Sequence, residues 1–294
     1  MATRVFGETL DIETCDCPSC GEVGYKIIRQ QADGTRYLQC NDCGTIFASP
    51  RSAHSIRFAQ LEDTFSLNDY TTQIIERRRP ALALEAEILS SHKNGGILLD
   101  VGCSTGVFFE YFSSEKWRKY GVELSPSAAR FAARAYGADV RAGTLQAARF
   151  PENTFDLITM IDMFYYEENP NGLLCEAARV MRPDGLLGIE LPGQSFQLLR
   201  GNGLICRLLD KKWTRFDSNS EYLYWYSPAG LQKLLANTGF EVVGWEVISS
   251  PSTEGFRNKL SQTYFKLMRR GVRRWPKLIA WAPKFLVLAK VKKP

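Results

Sequence analysis

Short apolar runs recur along the second two-thirds of the chain, and the segments between them place apolar residues at helical spacing. Apolar runs of this length predict strands buried on both faces, as in a parallel sheet covered by helices. Ser227-Pro228 illustrates a helix start, because a Ser cap and a first-turn Pro precede Leu231, Leu234 and Leu235. The alternation predicts an α/β fold with strands in the ranges 97–101, 120–125, 139–145 with the loop beyond, 155–162, 186–191, 240–247 and 285–289.

Three parts follow one another along the chain. Residues 1–48 carry paired cysteines, residues 49–96 form a polar connector, and residues 97–294 hold the apolar runs. The connector has Phe58, Leu61 and Phe65 at helical spacing, so it predicts one or two helices that lead into the sheet and could act as a lid. With 294 residues, 45% of them hydrophobic, the chain can bury one full α/β core plus a small module.

The turn after the first predicted strand is built from small residues. Gly102 and Gly106 lack a Cβ, so the backbone can turn sharply there and a ligand can lie directly against it. A helix starting near Thr105 and running through Phe109 and Phe112 would leave unpaired backbone N–H groups facing that ligand. The residues between the two glycines are Cys103, Ser104 and Thr105.

This turn does not match the common phosphate-binding motifs. It reads D-x-G-C-S-T-G, whereas a dinucleotide fold needs G-x-G-x-x-G and a P-loop needs G-x-x-x-x-G-K followed by Ser or Thr. The next predicted strand ends in Glu123, and an acid at that place in a Rossmann-like sheet accepts hydrogen bonds from ribose hydroxyls. The pattern therefore indicates a nucleoside-type cofactor with Glu123 as its ribose ligand.

At these residues the chain resembles the class I S-adenosylmethionine-dependent methyltransferases. Asp100, Gly102, Ser104 and Gly106 fill the family's acid followed by Gly-x-Gly-x-Gly, with Ser104 in place of the middle glycine. The segments 150–158 and 173–185 resemble the approaches to the family's fourth and fifth strands, so the likeness covers roughly residues 97–248. Another ligand on the same scaffold is the alternative.

The resemblance implies a Rossmann-like, seven-stranded, mostly parallel sheet with helices on both faces, closed by an antiparallel strand at 285–289. It also implies S-adenosylmethionine as cofactor, with the backbone near Thr144 and Leu145 beside the adenine. The cofactor-binding residues so predicted are Asp100, Gly102, Cys103, Ser104, Thr105, Gly106, Glu123, Leu124, Thr144, Leu145 and Asp162.

Two C-x-x-C pairs, Cys17 with Cys20 and Cys40 with Cys43, have the spacing of a four-thiolate zinc site. Alternating segments between them, around the turn 32–34, predict a hairpin and hence a zinc ribbon. Four thiolates leave the metal no open position, so a structural role is expected. Cys15 could compete with Cys17. Cys103, Cys175 and Cys206 are interpreted as small apolar fillers.

A disulfide interpretation of these cysteines requires an oxidising compartment. The first residues lack the features of a secretory signal, which favours a cytoplasmic protein. No apolar run reaches the length of a membrane span, so any membrane contact is expected to be peripheral.

Residues after the fourth predicted strand should face the transferred methyl group, because ligands bind outside the strand ends of an open α/β sheet. Many small-molecule relatives have a Glu-His pair here; this chain has Tyr165 and Tyr166 instead. We expect Tyr165 to contact the substrate and little dependence on a histidine base. If a base is needed, the candidates are Tyr166, Glu167 and Glu190.

The segment 194–226 is too long for a simple connection and predicts a lid over the acceptor. Trp213, Tyr222 and Tyr224 are its candidate substrate contacts, since such rings can stack on a sugar or a base. For Leu223 and Trp225, simple coverage of the core is the favoured interpretation.

Positive charge is concentrated near the end of the chain. Residues 256–294 carry 12 of the 37 Lys and Arg residues and no Asp or Glu, while the whole chain has a net charge of +5. Within 251–284 the apolar residues recur at helical spacing, which predicts a basic amphipathic helix. Its partner could be an anionic membrane, a phosphate-bearing substrate or nucleic acid, and a contact with a second chain or an acidic domain is the alternative.

Ribbon, cofactor loop and Ser-Pro-capped helix together resemble bacterial enzymes that modify sugars and surface glycans. The expected function is methylation of a hydroxyl on a nucleotide-linked or lipid-linked sugar, a glycan precursor or a related metabolite. One alternative is an RNA methyltransferase whose ribbon and basic segment bind phosphates. The other is a non-catalytic zinc-ribbon adaptor that retains the scaffold.

Overall fold

The computed structural model describes residues 16–30, 36–49, 69–200, 222–248 and 259–292. Several predictions fall outside these ranges. They concern the hairpin turn 32–34, the first part of the connector, Cys15, Cys206 and Trp213.

A seven-stranded sheet forms the centre of the molecule, in the order β10-β11-β8-β7-β4-β5-β6. Pairing is parallel from β8 through to β6 and antiparallel where β11 meets β8 and β10. This arrangement confirms the predicted Rossmann-like fold with its antiparallel closing strand. The strands are β4 (Gly96–Val101), β5 (Trp117–Glu123), β6 (Asp139–Ala142), β7 (Phe155–Met160), β8 (Met181–Pro192), β10 (Phe240–Ile248) and β11 (Lys284–Val291).

Both faces of this sheet are buried. Neighbouring residues Leu98 and Leu99 on β4 belong to different hydrophobic clusters, because successive side chains of a strand point to opposite faces. Among the described residues no helix is both long and apolar enough to cross a membrane. The helices are α1 (Asp69–His92), α2 (Pro126–Tyr136), α3 (Leu145–Ala148), α4 (Pro170–Val180), α5 (Gln194–Arg200), α6 (Pro228–Asn237) and α7 (Lys259–Arg274).

Two elements differ from their predicted form. The helix expected from Thr105 is a 3-10 turn, Val107–Tyr111, which buries Phe108 and Phe109. Its bonds run from Phe109 N to Gly106 O and from Phe112 N to Phe109 O, the three-residue spacing of a 3-10 helix, and the ring centroids of Phe108 and Phe112 lie 5.2 Å apart. β8 also begins five residues before the predicted Leu186, because Phe155 of β7 pairs with Met181.

A second sheet lies at the N-terminal end and has the order β1-β2-β3-β9, all antiparallel. Three strands come from the cysteine-bearing part: β1 (Tyr25–Gln30), β2 (Arg36–Cys40) and β3 (Ile46–Ser49). The fourth, β9 (Tyr224–Trp225), comes from the segment predicted as an acceptor lid. The N-terminal module is therefore joined to the large domain through a shared sheet.

Candidate functional site

The turn after β4 has the conformation that its glycines suggested. Gly102 and Gly106 have φ values of +70° and +78°, and Ser104 between them has φ 49°. At Gly106 a Cβ would lie 2.8 Å from the Cβ of Ala132, so only glycine fits between the loop and α2. Cys103 is buried, and burial raises the pKa of its thiol, which leaves it unreactive.

Several N–H groups of this turn bond within the protein. Gly106 N donates to Cys103 O at 2.8 Å, and Ser104 N donates to Glu123 Oε2 at 2.8 Å. A five-residue 3-10 turn replaces the expected α-helix, and at its start the N–H groups of Thr105, Val107 and Phe108 have no acceptor among the described residues. The loop also lets a ligand approach the backbone closely beside the carboxylate of Glu123.

Glu123 ends β5 and lies half-buried next to the turn. Its Oε2 accepts from Ser104 N and its Oε1 accepts from Ser125 N at 2.9 Å. Each oxygen is held by one backbone N–H and keeps a further lone pair, so the carboxylate can accept from two neighbouring hydroxyls. This is the geometry that a ribose diol requires.

Asp100 lies at the base of the same crevice and is buried. Its Oδ1 accepts from Thr159 Oγ1 at 2.7 Å. Burial raises the pKa of Asp100 to about 7, the hydrogen bond from Thr159 opposes that shift, and Glu123 adds to it. The loop, Asp100 and Glu123 thus form one connected group at the ends of β4 and β5.

The other predicted cofactor residues border this group. Gly143 N donates to Glu123 O at 2.8 Å, which brings the loop after β6 to the crevice. Thr144 caps α3 with its side chain, whereas Leu145 is buried and can present only its backbone. Leu124 is 40% exposed beside Glu123, an apolar surface suited to a planar base. Thr105 is buried in the turn.

Asp162, just after β7, lies in a network of charged side chains. It has φ 61°, accepts from Lys284 Nζ at 2.7 Å and pairs with Arg78 at 3.1 Å. The hydroxyl of Tyr165 also donates to it. Burial would raise the pKa of Asp162, but Lys284 and Arg78 together hold it well below its usual range, so this carboxylate stays ionised.

Glu190 belongs to the same network and does not fit the role of a general base. It is fully buried, accepts two hydrogen bonds from Arg78 at 3.2 and 2.8 Å, and pairs with Lys284 at 2.9 Å. Both of its oxygens are thus engaged by cations within the fold. The structure instead gives Glu190 the role of orienting Arg78 and Lys284.

Glu85 on α1 adds a buried carboxyl group near these charges. Neither of its oxygens has a hydrogen-bond partner among the described residues, and burial together with Glu190 raises its pKa well above the usual range. Burial thus favours the neutral form of Glu85, next to the two carboxylates and two cations of the network.

Sequence reasoning missed Arg78, Lys284 and Glu85 as members of this site. Arg78 lies in the run Arg77-Arg78-Arg79 of α1, and Lys284 opens β11, so neither is near Asp162 in the chain. In the sequence, Arg78 is one basic residue of a helical segment. Without the fold, a basic residue that pairs with a buried carboxylate cannot be distinguished from one that faces solvent.

A cluster of tyrosine rings lies beside Asp162. Tyr165 and Tyr166 have ring centroids 4.5 Å apart, and Tyr222 lies 4.3 Å from Tyr165 and 5.3 Å from Tyr166. Tyr165 is buried, while Tyr166 and Tyr222 are half-buried and can meet a ligand. Burial raises the pKa of Tyr165, with Asp162 adding to the shift, so this hydroxyl remains a donor.

Tyr224 does not fit the predicted substrate contact. It is fully buried in β9, and its hydroxyl donates to Glu168 O at 3.3 Å. The two-residue strand turns this side chain into the core, since β9 pairs with β3 of the N-terminal sheet. Trp225 is also buried, as the core interpretation expected.

The four cysteines of the paired motifs converge on one point. Their sulfurs all lie within 4.8 Å of one another, with Cys17 and Cys43 3.5 Å apart and Cys20 and Cys40 3.6 Å apart. These distances exceed a disulfide bond, and a tetrahedral zinc with bonds of about 2.3 Å places its sulfurs about 3.8 Å apart. The donor set therefore fits a structural zinc ion.

Contacts fix this cysteine cluster to the wall that carries the tyrosines. Ser227 Oγ donates to Cys43 O at 2.5 Å while it also caps α6. Gln194 Nε2 donates to Gly44 O at 2.8 Å and to Trp225 O at 3.0 Å. Lys233 of α6 forms an ion pair with Asp42. The metal-ligand turns and the start of α6 thus form one unit.

A seven-stranded sheet of this order, with a glycine-containing turn at β4 and an acid at the end of β5, defines a class I S-adenosylmethionine-dependent methyltransferase. The chain belongs to the family whose model is described as a methyltransferase domain, which matches residues 73–244. The protein is thus an enzyme that uses S-adenosylmethionine, and the adaptor alternative is not supported.

Among curated proteins, the chain is similar to the demethylmenaquinone methyltransferases of two Tropheryma whipplei strains, Twist and TW08/27. Each is 25% identical over 168 residues, which cover 53% of this chain and 70% of the relative.

Similar solved structures include a putative methyltransferase of Haloferax volcanii, determined in complex with a methyltransferase activator. Its TM-score is 0.55 at 16% identity, covering 81% of this chain and 97% of that one. Magnesium protoporphyrin IX methyltransferase of Synechocystis PCC 6803, with bound SAH, has a TM-score of 0.50 at 12% identity over 81% and 95%. At these identities the likeness supports the fold alone.

Proposed function

We propose that this enzyme transfers a methyl group to a hydroxyl of a small molecule, namely a sugar, a glycan precursor or a related metabolite that is nucleotide-linked or lipid-linked. The observation that carries the proposal is the group of tyrosine rings beside Asp162 at the end of β7, where an acceptor meets the cofactor. Aromatic rings stack on the apolar face of a sugar, and phenol hydroxyls bond to its polar edge.

The same proposal assigns the cofactor to the crevice at the ends of β4 and β5. Glu123 would accept the ribose hydroxyls, Leu124 and the backbone at Thr144 and Leu145 would border the adenine, and Asp162 would lie near the methionine part. S-adenosylmethionine supplies the electrophilic methyl group when it is bound.

Little acid-base chemistry is required of the protein. The acceptor oxygen forms the new bond to the methyl carbon, the carbon–sulfur bond breaks with its electron pair on sulfur, and the hydroxyl proton leaves. Tyr166 is the group proposed to orient the hydroxyl and pass its proton to solvent, because Glu190 and Asp162 are compensated by Arg78 and Lys284. Positioning and exclusion of water provide most of the acceleration.

We further propose that the cysteine cluster binds one structural zinc ion through Cys17, Cys20, Cys40 and Cys43. Its support is the mutual distance of the four sulfurs.

Mass spectrometry on acceptor panels tests the proposal. The full chain would be incubated with S-adenosylmethionine and nucleotide sugars, lipid-linked sugars, demethylmenaquinone or total RNA, and a mass gain of one CH₂ group would be sought. A methylated sugar hydroxyl that is lost in Tyr222→Ala supports the proposal. Methylation only of RNA or only of a quinone carbon overturns it.

A lipid-linked aromatic ring is the second candidate acceptor. It is favoured by the similarity to curated enzymes named demethylmenaquinone methyltransferases and by a tyrosine cluster that can also stack on a planar ring.

A further inference from the structure

The C-terminal helix α7 and the turn that follows it expose an unusual surface. Six cationic side chains are exposed there, and none forms an ion pair within the part of the chain that the structure describes. They are Lys266, Arg269, Arg270, Arg273, Arg274 and Lys277.

Large apolar side chains are exposed on the same surface. Leu267 is 62% exposed and Trp275 is 63% exposed, while Trp281 and Tyr264 are 46% and 37% exposed. The Tyr264 hydroxyl donates to Trp281 O at 2.7 Å, which holds helix and turn side by side. Leu267 follows Tyr264 at helical spacing, and Trp275 N donates to Gly271 O at 2.7 Å, which continues the same side of the helix to Trp275.

Helix α7 is fixed to the domain by its other side. Val272 is buried, and Phe265 and Met268 pack against the main core. Since the inner side is already occupied by packing, the exposed Leu and Trp residues are not needed to cover the core.

We propose that this surface binds an anionic lipid bilayer, with Leu267, Trp275 and Trp281 entering the interface and the cations contacting lipid headgroups. Helices with basic residues beside Leu and Trp bind in this way, lying in the plane of the membrane. RNA fits this surface less well, because the aliphatic side chain of Leu267 cannot stack on a base.

The surface continues towards the charged network of the site. The turn Pro276–Trp281 ends three residues before Lys284, whose ammonium pairs with Asp162 and Glu190. A bilayer on this surface would therefore lie close to the acceptor side of the enzyme. The proposal itself does not rest on the identity of the acceptor.

Co-sedimentation of the full chain with vesicles tests the proposal. Vesicles of equal parts phosphatidylglycerol and phosphatidylcholine should bind the protein, and pure phosphatidylcholine should not. Leu267→Ala and Trp275→Ala should each weaken binding roughly tenfold, and Arg270→Gln roughly fivefold. Matched controls are Val243→Ala, an exposed apolar residue on β10, and Arg130→Gln, an exposed cation on α2, which should leave binding unchanged.

Three outcomes would overturn the proposal. One is absence of binding to the anionic vesicles. Another is vesicle binding that Leu267→Ala and Trp275→Ala leave unchanged. The last is preferential binding of single-stranded RNA over anionic vesicles at the same ionic strength. Because the substituted side chains are exposed, unchanged melting temperatures confirm that each variant is folded.

Discussion

The ring centroid of Tyr222 lies 4.3 Å from that of Tyr165, and hydrogen bonds hold the backbone of the next residue, Leu223. Leu223 N donates to Tyr165 O at 2.9 Å, and Leu223 O accepts from Ala48 N at 2.9 Å. The acceptor side of the enzyme is thus tied to strand β3 of the cysteine-bearing sheet. Changes in the metal centre should therefore affect the acceptor more than the cofactor.

Loss of one metal ligand tests this coupling. Cys40→Ser should release zinc and reduce kcat/KM for the acceptor by up to about 100-fold, because the tyrosine wall loses its support. Binding of S-adenosylmethionine, measured by calorimetry, should persist. The matched control is Cys175→Ser on α4, which should leave zinc content and activity unchanged, because Cys175 is exposed and is not the apolar filler that the sequence suggested. Full activity without zinc would contradict the coupling.

Glu123 should dominate cofactor affinity among the exposed and half-buried acids. Glu123→Gln replaces charge-assisted hydrogen bonds with neutral ones, so the Kd for S-adenosylmethionine should rise roughly tenfold to 100-fold in titration calorimetry. Glu115→Gln, an exposed acid before β5, serves as the control. An unchanged Kd in Glu123→Gln would contradict the ribose assignment.

Substitutions at Gly106 and Gly137 distinguish two destabilising effects of an added Cβ, namely backbone strain at positive φ and steric overlap with a neighbour. Both have positive φ, +78° and +61°, but a Cβ at Gly106 meets Ala132 at 2.8 Å whereas nothing lies within 4 Å at Gly137. Gly137→Ala should lower the free energy of unfolding by about 1 kcal/mol. Gly106→Ala should cost about 1–3 kcal/mol more and weaken cofactor binding. Equal losses in urea denaturation would show that the contact with Ala132 is unimportant.

The raised pKa of Asp100 predicts a specific pH dependence of stability. Folded Asp100 holds its proton up to about pH 7, whereas the unfolded group loses it near its ordinary value of 3.8. Its contribution to stability is therefore present at low pH and falls as the pH rises towards 7.

Asp100→Asn removes this dependence. Between about pH 5 and about pH 8, the unsubstituted protein without cofactor should lose on the order of 2–3 kcal/mol of unfolding free energy through Asp100. The variant should not show this loss, so its unfolding free energy relative to the unsubstituted protein should gain the same amount. Urea denaturation at the two values measures the gain, with the exposed Asp139→Asn as control. A gain of the opposite sign would contradict the assigned protonation.

Arg78 should be essential to the buried network. Arg78→Met removes the ion pairs of Arg78 with Glu190 and Asp162, and leaves Lys284 as the cation paired with the buried Glu190. The unfolding free energy should therefore fall by about 3–5 kcal/mol. Arg77→Met, at the exposed neighbouring position of α1, should change it by less than about 0.5 kcal/mol. Similar melting temperatures for the two variants would contradict this role.

The sequence by itself determined the parts of the molecule that depend on local pattern. Apolar runs predicted the strands of the large sheet, and Ser227-Pro228 predicted the start of α6, because burial and helix capping act over a few residues. Two C-x-x-C pairs predicted the cysteine cluster, since each pair places two sulfurs on one turn.

Only the tertiary structure decided how distant segments meet. It placed Arg78 and Lys284 against Asp162 and Glu190. Glu190, a candidate base in the sequence, is therefore a member of a buried ion-pair network. The tertiary structure also made Tyr224 part of the cysteine-bearing sheet and left Tyr222 facing Tyr165. Ion pairing and strand pairing between remote residues leave no periodic trace in the chain, so their partners emerge only when the fold brings them together.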